Sequence, residues 1–177
     1  MIRRSKAMTP HLFLDLDGVF ADFEGHFTRC FGQTSKEAAA REGSIWGMID
    51  QHPDFFLETP LLSGSPDLLW LASELSYAPP IFLTACPPSP RYNRVAAQKK
   101  EWVKQHLGAG FLVLPVCGHL STGYAQVKPN YMQNPGDILV DDYGKNCVAW
   151  KEAGGVAIQH TTGVYEPTFD ALRVALS

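Results

Sequence analysis

Residues 11–20, His-Leu-Phe-Leu-Asp-Leu-Asp-Gly-Val-Phe, constrain the fold of this chain more than any other stretch: a nearly continuous apolar run ends in two carboxylates and a glycine. Leu12, Phe13 and Leu14 show no polar alternation, the pattern of a strand covered on both faces of a parallel sheet. In open α/β sheets ligands bind in the crevice beyond the carboxyl ends of the strands. Asp15 and Asp17 would stand at that site, with Gly18 freeing the backbone to turn. A plainer role suits the same residues, because Asp and Gly are ordinary turn formers and Asp-Leu-Asp-Gly also serves as a strand end followed by an Asx turn.

The rest of the chain supplies the neighbours such a strand needs. Residues 81–83, 111–116, 138–140 and 156–158 read as further short apolar strands, and residues 61–77, 93–107, 145–153 and 165–176 as helices around them. Strand and helix in alternation imply right-handed crossovers and a parallel sheet. The expected fold is therefore α/β, a Rossmann-like parallel sheet of about five strands with helices on both faces.

One interval breaks the alternation. Residues 20–59 carry helix-like segments at 22–31 and 35–48 punctuated by glycine, with Ser35 as the expected N-cap of the second. This reads as a small helical cap inserted after the first strand, leaving residues 1–19 and 60–177 as the core domain. The interval is rich in aromatic residues. Most belong to ordinary packing, and Phe23, Trp46 and Phe56 are singled out for contact with a ligand.

Bulk properties narrow the function classes. With 177 residues, a net charge of -3 and 45% hydrophobic residues, the chain fits one soluble globular domain with a small insertion. The basic residues near the N-terminus, Arg3, Arg4 and Lys6, are not followed by an uninterrupted apolar stretch, so neither a signal peptide nor a membrane span is expected. No dense Lys/Arg cluster marks a grip on long nucleic acid, whereas a small anionic ligand fits. Cys30, Cys86, Cys117 and Cys147 have no paired spacing, which argues for reduced thiols in a cytoplasm over a zinc or redox motif. The six histidines show no metal-ligand spacing and take no role. Arg91, Arg94, Lys99 and Lys100 would either neutralise a phosphate or form a solvated helix face. A monomer and a homodimer are both compatible with the sequence.

Two adjacent carboxylates repel unless a divalent cation sits between them or one keeps a proton, and both conditions suit phosphoryl transfer. Asp15 would attack phosphorus as a nucleophile and pass through an aspartyl-phosphate, while Asp17 gives and later takes the proton. Downstream, Thr84 follows an apolar strand, Lys128 lies in a later loop, and Asp141 and Asp142 end another apolar strand as Asp15 ends the first. Taken singly, Thr84 suits a turn, Lys128 a solvated surface, and the two acids a helix start. Together they form the set that magnesium-dependent phosphoryl transfer needs: acids for the cation, a hydroxyl and a lysine for the phosphate oxygens.

In order and type these residues resemble the motifs of the haloacid dehalogenase-like hydrolases. The resemblance implies that Asp15-Leu16-Asp17-Gly18-Val19 is the first motif, Thr84 the second, Lys128 the third and Asp141-Asp142 the fourth. It further implies Mg2+ held by Asp15, the backbone carbonyl of Asp17, Asp142 directly and Asp141 through water, with Thr84, Ala85 and Lys128 on the phosphate. More narrowly, residues 17–23, 55–57, 100–103, 136–142 and 150–155 resemble the 5'(3')-deoxyribonucleotidase group. That group commonly has serine where this chain has Ala85 and arginine where it has Tyr143, departures that bear on the substrate. The resemblance implies a phosphatase for nucleoside monophosphates. The alternatives are the same chemistry on another small phosphomonoester, and a catalytically idle phosphate- or nucleotide-binding module.

Overall fold

A computed structural model describes residues 9–117 and 127–177. The basic residues Arg3, Arg4 and Lys6 lie outside the described residues. The strands are β1 (Leu12–Leu14), β2 (Ile81–Cys86), β3 (Val113–Cys117), β4 (Ile138–Asp141) and β5 (Val156–Gln159). All pairings are parallel, in the order β3-β2-β1-β4-β5, which is the α/β fold expected from the apolar runs. The chain runs from β1 outward to β2 and β3, then returns to the far side of β1 for β4 and β5. The reversal falls between β1 and β4, the point where open sheets of this kind open a crevice.

The sheet is buried because its central strands are apolar on both sides. Phe13, Leu83, Leu139 and Trp150 pack on one face, and Leu12, Leu14, Phe82 and Val140 with Trp102 and Leu172 on the other. Helices α4 (Ser65–Leu75), α5 (Tyr92–His106), α6 (Gly144–Glu152) and α7 (Glu166–Ala175) cover these faces. Buried Asp137 ties the sheet's lower edge together by accepting hydrogen bonds from the backbone N–H groups of His11, Gln133 and Asn134. No α-helix among the described residues is long and apolar enough to cross a membrane.

Between β1 and α4 the chain makes three helices, α1 (Phe23–Phe31), α2 (Ser35–Glu42) and α3 (Trp46–Ile49). The segment leaves and re-enters the core at one place: Ala21 bridges Leu61, and Asp22 N–H donates to the Pro60 carbonyl. Two local expectations are corrected here. Thr34 rather than Ser35 caps α2, because Thr34 and Glu37 exchange hydrogen bonds in a capping box. The single helix expected over 35–48 is two, broken where Gly43 takes a left-handed φ of 74°.

The insertion does not have a private core. Phe27, Ala38, Ile49, Phe55 and Phe56 pack together with Cys86 of β2 and Val95 and Ala96 of α5. Polar contacts run to the same helix and the residue that precedes it: Arg91 and Arg94 both donate to the Asp50 carboxylate, Gln98 to the Pro53 carbonyl, and the Trp102 indole to the Thr59 carbonyl. Helix α5 is therefore the surface on which the insertion rests.

Candidate active site

β1 and β4 leave the sheet side by side. Asp15 N–H donates to the Val140 carbonyl at 2.8 Å, so the residue after β1 and the last residue of β4, Asp141, emerge at the same level. The chain then folds tightly on itself, the Leu16 carbonyl accepting from Val19, Phe20 and Ala21. Gly18, at a φ of 76°, is required twice over: the turn needs a left-handed residue, and a Cβ there would run into the Asp142 carboxylate.

Lys128, the first residue of a short 3-10 helix (Lys128–Tyr131), is fully buried between the two acids. Its Nζ lies 2.7 Å from Asp15 Oδ1 and 2.6 Å from Asp141 Oδ2. Burial opposes the charge on this lysine, but the two carboxylates overcome it and hold its ammonium above the ordinary lysine range. The reading of Lys128 as a solvated surface charge is thus set aside.

The three acids differ in how far they are satisfied. Asp141, also fully buried, accepts from Lys128, from the Tyr143 N–H and from Asn146 Nδ2, which occupies both of its oxygens. No hydrogen bond from the described residues reaches Asp142. Ligand oxygens of Asp15, Asp141 and Asp142 nonetheless all lie within 4.8 Å of one another. Burial, then the nearby Asp15 and Asp141 charges, push the Asp142 carboxyl up to about 8. Burial and Asp15 raise Asp141 to about 6, with Lys128 and the backbone N–H of Tyr143 restraining the rise.

A second lysine stands on the other side of the first strand. Lys99 of α5 is only 2% exposed, and its Nζ reaches Asp17 Oδ2 at 2.5 Å, Thr84 Oγ1 at 3.0 Å and the Ala85 carbonyl at 2.7 Å. The same ammonium lies 5.0 Å from the centroid of the Phe56 ring, within cation–π range. Burial disfavours the Lys99 charge, yet Asp17 raises its pKa above the ordinary lysine value. For Asp17 burial outweighs the ammonium and keeps the carboxyl above its usual range.

The structure brings together Asp15, Asp17, Thr84, Lys128, Asp141 and Asp142 at the carboxyl end of the sheet. Thr84 sits inside β2, which runs three residues further than its apolar triplet. Of the four basic residues Arg91, Arg94, Lys99 and Lys100, Lys99 is a site residue, Arg91 and Arg94 are spent on Asp50, and Lys100 is exposed. The reading of Lys99 as part of a solvated face is corrected: it lies on the same buried stripe as Val95, Ala96, Trp102 and Val103. Among the aromatics, Phe56 is 4% exposed and packs between Phe23 and Trp46, with ring centroids 6.2 and 6.3 Å away. Phe23 and Trp46 are half-buried. Trp46 lines a cleft with Arg41, Glu42, Gln51 and Arg91 whose walls include none of Asp15, Asp17, Asp141 and Asp142.

A scan against protein-family models finds no match to this chain, and a search of curated proteins finds none either.

Proposed function

We propose that this chain is a magnesium-dependent phosphatase that hydrolyses a small phosphomonoester through an aspartyl-phosphate on Asp15, with a nucleoside monophosphate as the preferred substrate. The observation that carries this reading is the convergence of the Asp15, Asp141 and Asp142 carboxylates around one point, beside a lysine buried between two of them. The donor set fits Mg2+: it offers only carboxylate oxygens, and Asp142, raised by burial and neighbouring charge, has no donor among the described residues to balance it. Asp142 and Asp15 would hold the ion directly, together with the Asp17 backbone carbonyl. Asp141, whose oxygens are occupied, would act through water. When bound, the cation supplies a Lewis acid for the phosphate oxygens.

The chain's own residues divide the remaining work. Lys128 fixes the Asp15 side chain by one oxygen and leaves the other to attack phosphorus. As the new P–O bond to Asp15 forms, the ester P–O bond breaks and Asp17 delivers its proton to the departing oxygen. Burial that keeps the Asp17 carboxyl above its usual range favours the form that holds this proton. Asp17, now ionised, takes a proton from water as that water attacks phosphorus and releases inorganic phosphate and the Asp15 carboxylate. Lys99 can only donate, so Thr84 Oγ1 accepts from it and its own hydroxyl proton is free for a phosphate oxygen.

The preference for a nucleotide rests on the resemblance and on an aromatic-rich insertion following the catalytic strand. An insertion docked on α5 would act as a cap, reaching the leaving group while the core clamps the phosphate. The test is hydrolysis of a chromogenic aryl phosphate with Mg2+ and with a chelator, followed by nucleoside monophosphates against glycerol phosphate. Magnesium-dependent turnover with a nucleotide preference is the expected result. No turnover with any divalent cation would leave a binding module.

A further inference from the structure

We propose that His26, Cys30 and His52 form a site for a thiophilic divalent cation of the zinc class, pinning α1 to the loop after α3. The sequence spacing assigned these residues no role, but the fold brings them together. His26 and Cys30 are one helical turn apart on the same face of α1, with Cys30 Sγ 3.7 Å from His26 Nε2. His52 arrives from beyond α3, and one donor atom from each of the three lies within 4.8 Å of the others.

A tetrahedral zinc centre, with bonds of about 2.0–2.1 Å to nitrogen and about 2.3 Å to sulfur, sets such donors roughly 3.3–3.6 Å apart. The Cys30–His26 pair is already near that spacing, and side-chain rotation of the half-buried His52 supplies the rest. Three protein donors leave a fourth position for water. His26 is buried beside His52, which favours the neutral imidazole that binds metal. Glu58 Oε2 stands 3.3 Å from His52 Nε2, a carboxylate placed as those behind metal-bound imidazoles are. Imidazole and thiolate select zinc over magnesium, so this site and the all-oxygen cluster of Asp15, Asp141 and Asp142 take different ions. Binding exchanges the Cys30 thiol proton for the cation and releases that proton to solvent.

The experiment is a cobalt titration of the full chain, read by the near-ultraviolet cobalt–thiolate absorption that carboxylate ligands do not give. The expected result is one saturable equivalent, displaced by Zn2+ but not by excess Mg2+, and unchanged in Asp142→Asn. Cys30→Ser abolishes the band, and His52→Gln, on a separate segment, weakens cobalt binding by at least about tenfold. One equivalent of Zn2+ also raises the melting temperature of the wild type and not of folded Cys30→Ser. Absence of the band in the wild type, or its survival in Cys30→Ser, overturns the site.

Discussion

Lys99 Nζ stands 2.5 Å from Asp17 Oδ2 and joins the middle of α5 to the loop after β1. The pair makes Lys99 a positioning residue for the acid/base group. Lys99→Met removes the charge that holds the Asp17 pKa down, so the Asp17 carboxyl keeps its proton to higher pH. The alkaline limb of the pH–kcat/KM profile, set by loss of the proton that Asp17 delivers, should move upward, and kcat should fall by about 10²-fold or more because the acid/base group is no longer held in place. Lys99→Arg should restore part of the rate. An unmoved profile in folded Lys99→Met would show that the lysine only fills space.

The aromatic residues of the insertion should separate into two kinds. Phe56 is 4% exposed, so Phe56→Ala should cost about 3–5 kcal/mol in urea unfolding. Phe23 and Trp46 are half-buried, and the loss of one stacked base is worth roughly 1–3 kcal/mol. Alanine at whichever of these two contacts the base should lower turnover of a nucleoside monophosphate roughly tenfold or more at low substrate, and leave glycerol phosphate turnover unchanged. If neither substitution alters that ratio, the insertion does not read a base.

Asp141 and Asp142 should fail in different ways. Asp142→Asn, at a carboxylate that accepts from no donor among the described residues, should raise the magnesium concentration for half-maximal activity by at least about tenfold with little loss of stability. Asp141→Asn takes away a carboxylate that pairs with buried Lys128 and should destabilise the fold by about 3–5 kcal/mol. Magnesium titrations and urea unfolding of both variants check this division. Indistinguishable titrations would contradict the assignment of Asp142 as the direct ligand.

The elements that were legible in the sequence are those whose signal is local. Leu12–Leu14 and Ile138–Asp141 announce themselves as apolar runs ending in acids, and parallel pairing then sets Asp15 and Asp141 level. Lys99 carries no such mark: Arg94, Lys100 and Lys104 on the same helix look alike in sequence, and only the packing of α5 separates the buried lysine from its neighbours. Arg91 and Arg94 were equally opaque, because their partner Asp50 is more than forty residues away in the chain. His26 and Cys30 did carry a local signal, the one-turn spacing on α1, but His52 joins them only through the fold.

In the absence of divalent cations the stability of the protein should fall as pH rises. An Asp142 carboxyl raised to about 8 in the folded state, against an ordinary value near 3.8, makes the native protein hold a proton that the unfolded chain has lost. Between those two values unfolding releases protons, so the contribution is full at low pH and is lost as pH rises toward 8. A melting-temperature series from pH 5 to 8 in chelator should slope downward by several degrees, less steeply in Asp142→Asn, and Mg2+ should flatten it. A wild-type slope unchanged by Asp142→Asn would place the titration elsewhere.

The central claim is that Asp15 is the nucleophile, and the most direct measurement is the magnesium-dependent hydrolysis of an aryl phosphate by folded Asp15→Asn. The side chain keeps its size, and circular dichroism and urea unfolding establish that the fold is intact. The predicted result is a fall in kcat of roughly 10³-fold or more with no recovery at higher Mg2+, since removing a covalent nucleophile removes the step itself. A folded Asp15→Asn protein that turns over the aryl phosphate at close to the wild-type rate would contradict it.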